Sequence, residues 1–334
     1  MKKILGMGSA LVDILIRLRD EAPLKQLGLP KGSMQLVDKT QSDAVLAVFS
    51  DYEKSLAAGG SAANTVHGIG KLGGEAGFIG RIGEDDLGEL FVRDMHSAGV
   101  EAYMSRSSTG TGCAISLITP DSERTFATCL GAASELSVEH QYESRRSESG
   151  VRNSAFGILS QYNILHLEGY LVFNQSLTET VIRMAKEAGL TVSLDLASYN
   201  VVEANRDFLD RIIREYVDIV FANEEEAKAF TGREPEEALA IIGGMADYAI
   251  VKTGAKGSLL QHGAETCRIG AIPVKPVDTT GAGDLYASGF LYGLANGFPL
   301  QRCGELGAIL AGNVIGVVGP KMGEGTWSNI RSVL

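Results

Sequence analysis

The residue pattern predicts an α/β fold: a mainly parallel sheet covered by helices on both faces, with a small separate β-sheet acting as a lid. Two observations carry that prediction. Short apolar runs of strand length alternate with longer stretches of helical periodicity, the arrangement of β–α–β units. Two segments, Val12 to Asp38 and Val100 to Leu130, break the alternation and read as strands with no helix between them.

In chain order, the strands of the main sheet are expected at Ile4–Met7, Gly77–Ile79, Ile164–Leu167, Thr191–Leu194, Ile219–Ala222 and Tyr248–Lys252. Helical patterns fall at Ala62–Lys71, Leu87–Ala98, Ser176–Ala188, Glu203–Tyr216, Glu224–Phe230 and Pro235–Gly243. The clearest lid element is a hairpin. Gly112 to Ile118 and Arg124 to Thr128 flank Thr119-Pro120-Asp121-Ser122, whose residue types favour a turn. Glu139 to Gly150 is polar and reads as a helix end and a solvated loop. No internal repeat divides residues 1–334, which read as a single unit with its lid built from about 12–38 and 100–130.

Composition narrows the function. A formal charge of −11 argues against a nucleic-acid partner held through its phosphates, although it does not oppose a nucleotide bound by amides, metal ions and local lysines. The four cysteines, Cys113, Cys129, Cys267 and Cys303, form no Cys-x-x-Cys pair, which suits a reduced, cytoplasmic setting. Asp13 interrupts the N-terminal apolar run, so that run resembles a strand more than a signal peptide. No stretch reaches the about 20 apolar residues that cross a bilayer, so no membrane partner is expected.

The most informative string is Asp278-Thr279-Thr280-Gly281-Ala282-Gly283-Asp284, followed by the helical pattern Leu285 to Leu294. A Gly-Ala-Gly turn at a helix start leaves amides unpaired at the positive end of the dipole, an anion site. Asp284 facing the same place suits a carboxylate that takes a proton from a hydroxyl while those amides hold a transferring phosphoryl group. An Asp that merely stabilises a helix start is the plainer alternative.

Further motifs each admit two readings. Gly59-Gly60-Ser61-Ala62-Ala63-Asn64 is either a ligand-approaching turn or an ordinary strand-to-helix turn capped by serine. Lys252-Thr253-Gly254-Ala255-Lys256-Gly257 lines a nucleotide pocket or turns a hairpin; it is not a Walker A loop. Asn223 and Glu226, at the carboxyl end of a strand, share a face. They order a magnesium ion, directly or through water, or belong to an acidic helix start. Asp13, among apolar neighbours, binds a substrate diol or is satisfied by backbone amides. Gly6-Met7-Gly8 lacks the third glycine and the acidic partner of a dinucleotide fingerprint, which sets a dehydrogenase aside. His67 reads as structural.

Together, and in this order, these motifs resemble the ribokinase-like (PfkB) carbohydrate kinase family, and more closely its adenosine-kinase branch, over nearly the full length. Tyr286 stands where that family more usually has phenylalanine. The resemblance implies a Rossmann-like domain with a β-sheet lid, and ATP with Mg2+ as co-substrate and cofactor. It implies Asp284 as base and Gly281, Ala282 and Gly283 as the anion hole. Arg124 would close over the phosphate, and Asn223 with Glu226 would serve magnesium and phosphate. Lys252, Thr253, Gly254 and Gly257 would lie along the nucleotide, with Asn313 near its base. Asp13, Gly59, Gly60, Ser61 and Asn64 would hold a ribose-like group, and a monovalent cation such as K+ would sit near Asp278 and Thr280.

The acceptor is less constrained. Gly60-Ser61 with Asn64 favours a nucleoside. Glu168, just before Gly169-Tyr170-Leu171, favours a hydroxyl-rich sugar if it points inward. The expected reaction is phosphorylation of a primary hydroxyl on a furanose, from a nucleoside or a ribose- or fructose-type sugar. A non-catalytic nucleotide- or sugar-binding regulator on the same fold is the alternative. An exposed lid edge leaves both a monomer and a lid-mediated homodimer open.

Overall fold

The computed structural model describes residues 1–121, 123–143 and 153–334. The chain alternates between two sheets. It begins the larger with β1 (Ile4–Met7) and passes to the smaller with β2 (Leu11–Arg17). After α1 (Ala22–Gln26), β3 (Met34–Leu36), α2 (Lys39–Val48) and β4 (Lys54–Gly59), α3 (Ser61–Lys71) leads back to the larger sheet. There β5 (Ala76–Gly83), α4 (Asp86–Ser97) and β6 (Glu101–Ser107) follow, before β7 (Thr111–Ile118) and β8 (Arg124–Gly131) complete the smaller one.

The remaining strands all extend the larger sheet. They run through α5 (Ala155–Leu159), β9 (Ile164–Glu168), α6 (Gln175–Glu187), β10 (Thr191–Asp195), α7 (Tyr199–Ala204), α8 (Arg206–Tyr216) and β11 (Ile219–Asn223). Next come α9 (Glu224–Thr231), α10 (Pro235–Gly243), β12 (Tyr248–Lys252), β13 (Ser258–His262) and β14 (Glu265–Ile269). Three helices close the chain: α11 (Ala282–Ala295), α12 (Leu300–Val314) and α13 (Glu324–Arg331).

The larger sheet has nine strands in the order β14-β13-β12-β11-β10-β9-β1-β5-β6. It is parallel from β12 to β6, with an antiparallel β13–β14 margin. Period-2 alternation fills both faces. In β11, Val220 and Ala222 pack with Phe208, Leu209 and Ile212 of α8, whereas Ile219 and Phe221 pack on the opposite side, the side of α3, α4, α11 and α12.

The smaller sheet has five strands in the order β3-β8-β7-β2-β4. Ile14 and Ile16 of β2, with Ile115 and Leu117 of β7, pack beneath Val45 and Phe49 around α2 to form its own apolar layer. By alternation, Asp13, Leu15 and Arg17 turn the other way, toward the cleft between the sheets.

Several expectations are corrected. Glu101–Ser107 pairs in parallel with β5, in the larger sheet, so the smaller sheet takes only the later part of 100–130. It also recruits β4, and the stretch 12–38 contains the short α1, which starts on a proline-bearing turn. The helix expected at Glu203–Tyr216 is two helices broken at Asn205, whose side-chain amide donates to the Val201 carbonyl. Tyr142 and Glu143 form isolated bridges, and residues 139–143 show no helix end; 144–150 of that polar segment and Ser122 of the hairpin turn lie outside the described residues.

Helices α11 and α12 pack closely because Gly289 faces the next helix's backbone. A Cβ there would lie 2.4 Å from the Leu306 carbonyl oxygen. Gly289→Ala should therefore cost about 1–3 kcal/mol, as overpacking does. Urea unfolding checks this, and an unchanged midpoint would mean that α11 and α12 can separate freely.

Candidate active site

The site lies where the carboxyl ends of β10, β11 and β12 meet the start of α11, below the inner face of the smaller sheet. Leu15, Ala57, Gly319, Pro320 and Lys321 line a cavity of about 540 Å³ between that sheet and the loop after α12.

Helix α11 begins at Gly281, which caps it with φ 76°; a Cβ there would lie 2.6 Å from the Pro320 side chain. Only glycine meets both demands. Among the described residues the Gly281, Gly283 and Asp284 amides have no backbone acceptor, whereas the Ala282 amide donates to the Thr279 carbonyl at 3.2 Å. The open amides are thus those of Gly281, Gly283 and Asp284, and Ala282 supports the turn.

Asp284 points back to α3. Its Oδ1 accepts from Ser61 Oγ at 2.7 Å and its Oδ2 from Asn64 Nδ2 at 3.0 Å. Burial pushes its carboxyl up to about 6, with the hydrogen bonds from Asn64 and Ser61 pulling the other way. Among the described residues Asn64 Oδ1 is buried without a partner, so Asn64 still has an acceptor to offer. Gly60 caps α3, its carbonyl accepting from the Asn64 amide at 2.8 Å.

Asp13 reaches the cleft from β2, its carboxylate pressed against the α-carbon of Gly59. Among the described residues no backbone amide donates to it, which removes the plainer reading of a self-satisfied buried aspartate. Burial raises its carboxyl to about 7, against the charge of Lys321. Lys321 Nζ lies 3.3 Å from Asp94 Oδ2 of α4. On the far side of Asp94, burial holds the His67 ring well below its ordinary range, in keeping with a structural histidine.

Glu168 closes β9, and both its oxygens are engaged. Oε1 accepts from the Ser9 amide at 2.8 Å and Oε2 from the Ala62 amide at 3.1 Å. It braces the β1–β2 turn against the start of α3, where the charge also complements the helix dipole.

Arg124 extends from β8 to Asp278, joining the smaller sheet to the loop before α11 in a buried ion pair. Its Nη1 donates to Ser116 Oγ at 3.4 Å, and its Nε has no partner. Asp278 also accepts from the Gly319 amide and, at 3.0 Å, from the Thr280 amide. Two residues expected to serve phosphate and cation separately are therefore paired.

On the nucleotide side, Asn223 and Glu226 form a reciprocal cap of α9. The Asn223 amide donates to Glu226 Oε2 at 2.7 Å, its Nδ2 to Oε1 at 2.6 Å, and its Oδ1 accepts from the Glu226 amide at 2.9 Å. Burial, reinforced by Asp195, lifts the Glu226 carboxyl to about 7 against the opposing Lys252 charge. Lys252 ends β12 and donates to Asp195 Oδ2 at 2.8 Å. The Thr253 amide bonds the Gly257 carbonyl at 2.8 Å across a single 3-10 turn from Gly254 to Lys256, so the segment does turn the β12–β13 hairpin. Yet among the described residues Thr253 Oγ1 is buried without a partner. Asn313 sits on α12, its Nδ2 bonded to the Ile309 carbonyl at 2.8 Å, while Ile272 of the segment leading to α11 lies against Gly312.

Asp195 and Lys321 are absent from the expected site. Asp195 could have been found: it directly follows the predicted strand Thr191–Leu194, at the edge where α/β sheets bind ligands. Lys321 carries no such mark.

Residues 34–324 match the family model described as pfkB family carbohydrate kinase. An adenosine kinase of Saccharomyces cerevisiae is 28% identical over 94% of this chain and 95% of its own length. The crystal structure of adenosine kinase from Sinorhizobium meliloti superposes with a TM-score of 0.86 at 33% identity, covering 100% of this chain and 99% of that one. A probable sugar kinase from Rhizobium etli reaches 0.86 at 31% identity over 99% and 98% of the two chains. Among the described residues no helix is long and apolar enough to cross a membrane.

Glu168→Ala would strand the Ser9 and Ala62 amides without an acceptor. A loss of about 1–3 kcal/mol for each buried amide is expected. Thermal or urea unfolding measures it; wild-type stability would show that the brace is dispensable.

Proposed function

We propose, for a chain that belongs to the pfkB family of carbohydrate kinases, that it transfers the γ-phosphoryl group of ATP to the primary hydroxyl of a furanose, and that this furanose is part of a nucleoside. Membership makes it a phosphotransferase acting on a hydroxyl group, with ATP as the co-substrate the family implies. The observation that carries the finer reading is Asp284: a desolvated carboxylate, oriented by Ser61 and Asn64, beside amides with no acceptor of their own.

In this reading Asp284 takes the proton of the acceptor hydroxyl as that oxygen attacks phosphorus. The Gly281, Gly283 and Asp284 amides meet the charge on the transferred group. Asp13 and the open Asn64 Oδ1 accept from the sugar hydroxyls, and Thr253 Oγ1 meets the nucleotide. Magnesium, when bound, neutralises phosphate charge. The residues fit an ion held mainly by phosphate oxygens. No three His, Cys, Asp or Glu side chains converge among the described residues, and Glu226, already bonded to Asn223, would act through water.

Two features favour a nucleoside over a free sugar. Glu168, the group that would have suited extra sugar hydroxyls, is spent on two amides. The smaller sheet instead offers an apolar platform. Phe126 shares the strand face of Arg124, and the register pairs it with Met34 and sets Leu36 beside Thr128. Met34 and Leu36 are 44% and 57% exposed, open to a flat apolar ring. The similarity to adenosine kinases points the same way.

ADP release with magnesium and ATP, compared across adenosine, other nucleosides, ribose and fructose with and without K+, tests the acceptor. Turnover with nucleosides is expected, and turnover confined to free sugars would overturn the nucleoside assignment. Asp284→Asn should lower kcat by at least about 10²–10⁴-fold while ATP and acceptor still bind; undiminished turnover would remove Asp284 as the base.

The pH dependence follows from the same group. A general base works only when ionised, and Asp284 titrates at about 6, with Asp13 near 7. Hence kcat/KM should fall as pH drops through the range from about 7 to about 6. A profile level down to pH 5, about one unit below Asp284's value, would contradict the assignment.

A further inference from the structure

We propose that Lys252 is a catalytic residue of this reaction: its ammonium, held in reserve by Asp195, meets the transferred phosphoryl group from beneath the start of α11. This rests on the kinase reading above and adds a group to it.

The geometry is specific. A Cβ built on Gly283 would lie 3.1 Å from Lys252 Nζ, so the ammonium occupies the space directly beside one of the open amides. Among the described residues its one hydrogen bond is to Asp195 Oδ2 at 2.8 Å, and its side chain is 15% exposed. Asp195 is itself anchored, since Oδ1 accepts from the Ala197 amide at 2.9 Å. That contact accompanies a left-handed backbone at Ala197, φ 66°, rare for a residue with a side chain.

A cation is unfavourable at a helix N-terminus, where the dipole is already positive. The same position becomes favourable once an anion occupies the amides. The charged groups facing Lys252 are Asp195, Glu226 and Asp284, and together they hold it protonated despite burial. It therefore cannot serve as the base and offers a fixed positive charge. When ATP binds, Nζ keeps its proton and shares itself between Asp195 and an oxygen of the γ-phosphoryl group. The acceptor oxygen–phosphorus bond then forms as its proton passes to Asp284. The phosphorus–oxygen bond to ADP breaks, and ADP leaves with the electron pair.

The alternative is a purely structural Lys252–Asp195 pair, and binding separates the two. Affinities for ADP and for the β,γ-imido analogue of ATP, both with magnesium, would be measured by calorimetry on wild type, Lys252→Met, Lys252→Arg and Asp195→Asn. Loss of a charged hydrogen bond to the γ-phosphoryl should weaken the analogue about 10-fold or more relative to ADP in Lys252→Met. It should also lower kcat with little change in the acceptor KM, and Lys252→Arg should recover part of both effects. Asp195→Asn should retain the analogue's advantage, because Lys252 remains. Equal weakening of both nucleotides, or loss of the advantage in Asp195→Asn, overturns the proposal. If Lys252→Met does not fold, Lys252→Arg and Asp195→Asn still decide it. The kinase reading stands or falls separately, on ADP release by the wild type with magnesium, ATP and the panel of nucleosides and sugars.

Discussion

Helices α3 and α11 meet through the Asp284 carboxylate, and the geometry of the whole cleft follows from that contact. Ser61 and Asn64 donate to its two oxygens, Thr65 Oγ1 donates to the Asp284 carbonyl at 3.2 Å, and Ser288 Oγ donates to the Thr65 carbonyl at 2.7 Å. These bonds join one face of each helix over about one turn, so neither the carboxylate nor the first turn of α11 can rotate away. Preorganisation of this kind is what a site needs in order to act on charge that appears only during reaction. It also desolvates the carboxylate. Burial outweighs the two hydrogen bonds, and the result is a carboxyl near 6 rather than a low-lying ion pair, a value suited to accepting a proton at neutral pH.

The cleft must receive a polyanion although the chain carries a formal charge of −11. Three nearby cations are each stationed by an acid: Arg124 by Asp278, Lys252 by Asp195, Lys321 by Asp94. Such pairs contribute little net stability once desolvation is counted, and their effect is positional. Each cation reaches the cleft from a different element, β8, β12 and the loop after α12, so positive charge surrounds the open amides of α11 instead of forming one patch. Asp13, Asp284 and Glu226, all shifted toward neutrality by burial, limit the repulsion an incoming phosphate meets.

Six strands of the larger sheet, β1, β5 and β9 to β12, were legible in the sequence because a parallel strand buried on both faces is a mainly apolar run, as Ile219–Ala222 shows without context. The start of α11 was legible too, since a Gly-Ala-Gly string before a helical pattern marks a turn into a helix. What escaped was whatever depends on pairing across the chain. Glu101–Ser107 has the composition of a lid strand, and only its partner β5 assigns it to the larger sheet. Lys54–Gly59 is too small and polar to announce a strand; it forms because β2 offers a partner. At the site, Glu168 looked like a sugar ligand because its type was visible and its direction was not. Whether it meets a hydroxyl or two amides is decided by the Ser9 turn and the start of α3, far away in sequence.

Direction in the smaller sheet has the same origin, and it decides what the cleft recognises. Ile14 and Ile16 are drawn into the layer under α2, and the pleat then obliges Asp13, Leu15 and Arg17 to face the larger sheet. The register carries that choice across to Ala114 and Thr128 beside Asp13, and to Phe126 with Met34 further along. A shift of one residue would bury Asp13 in the lid's apolar layer and turn Ile14 toward the cleft. Asp13 and the apolar platform beside it are thus set by one apolar layer that faces away from the cleft, and Arg124, on the face of Asp13, ties the sheet to the loop that starts α11. The proposed acceptor site and the proposed anion site are joined through a single strand face.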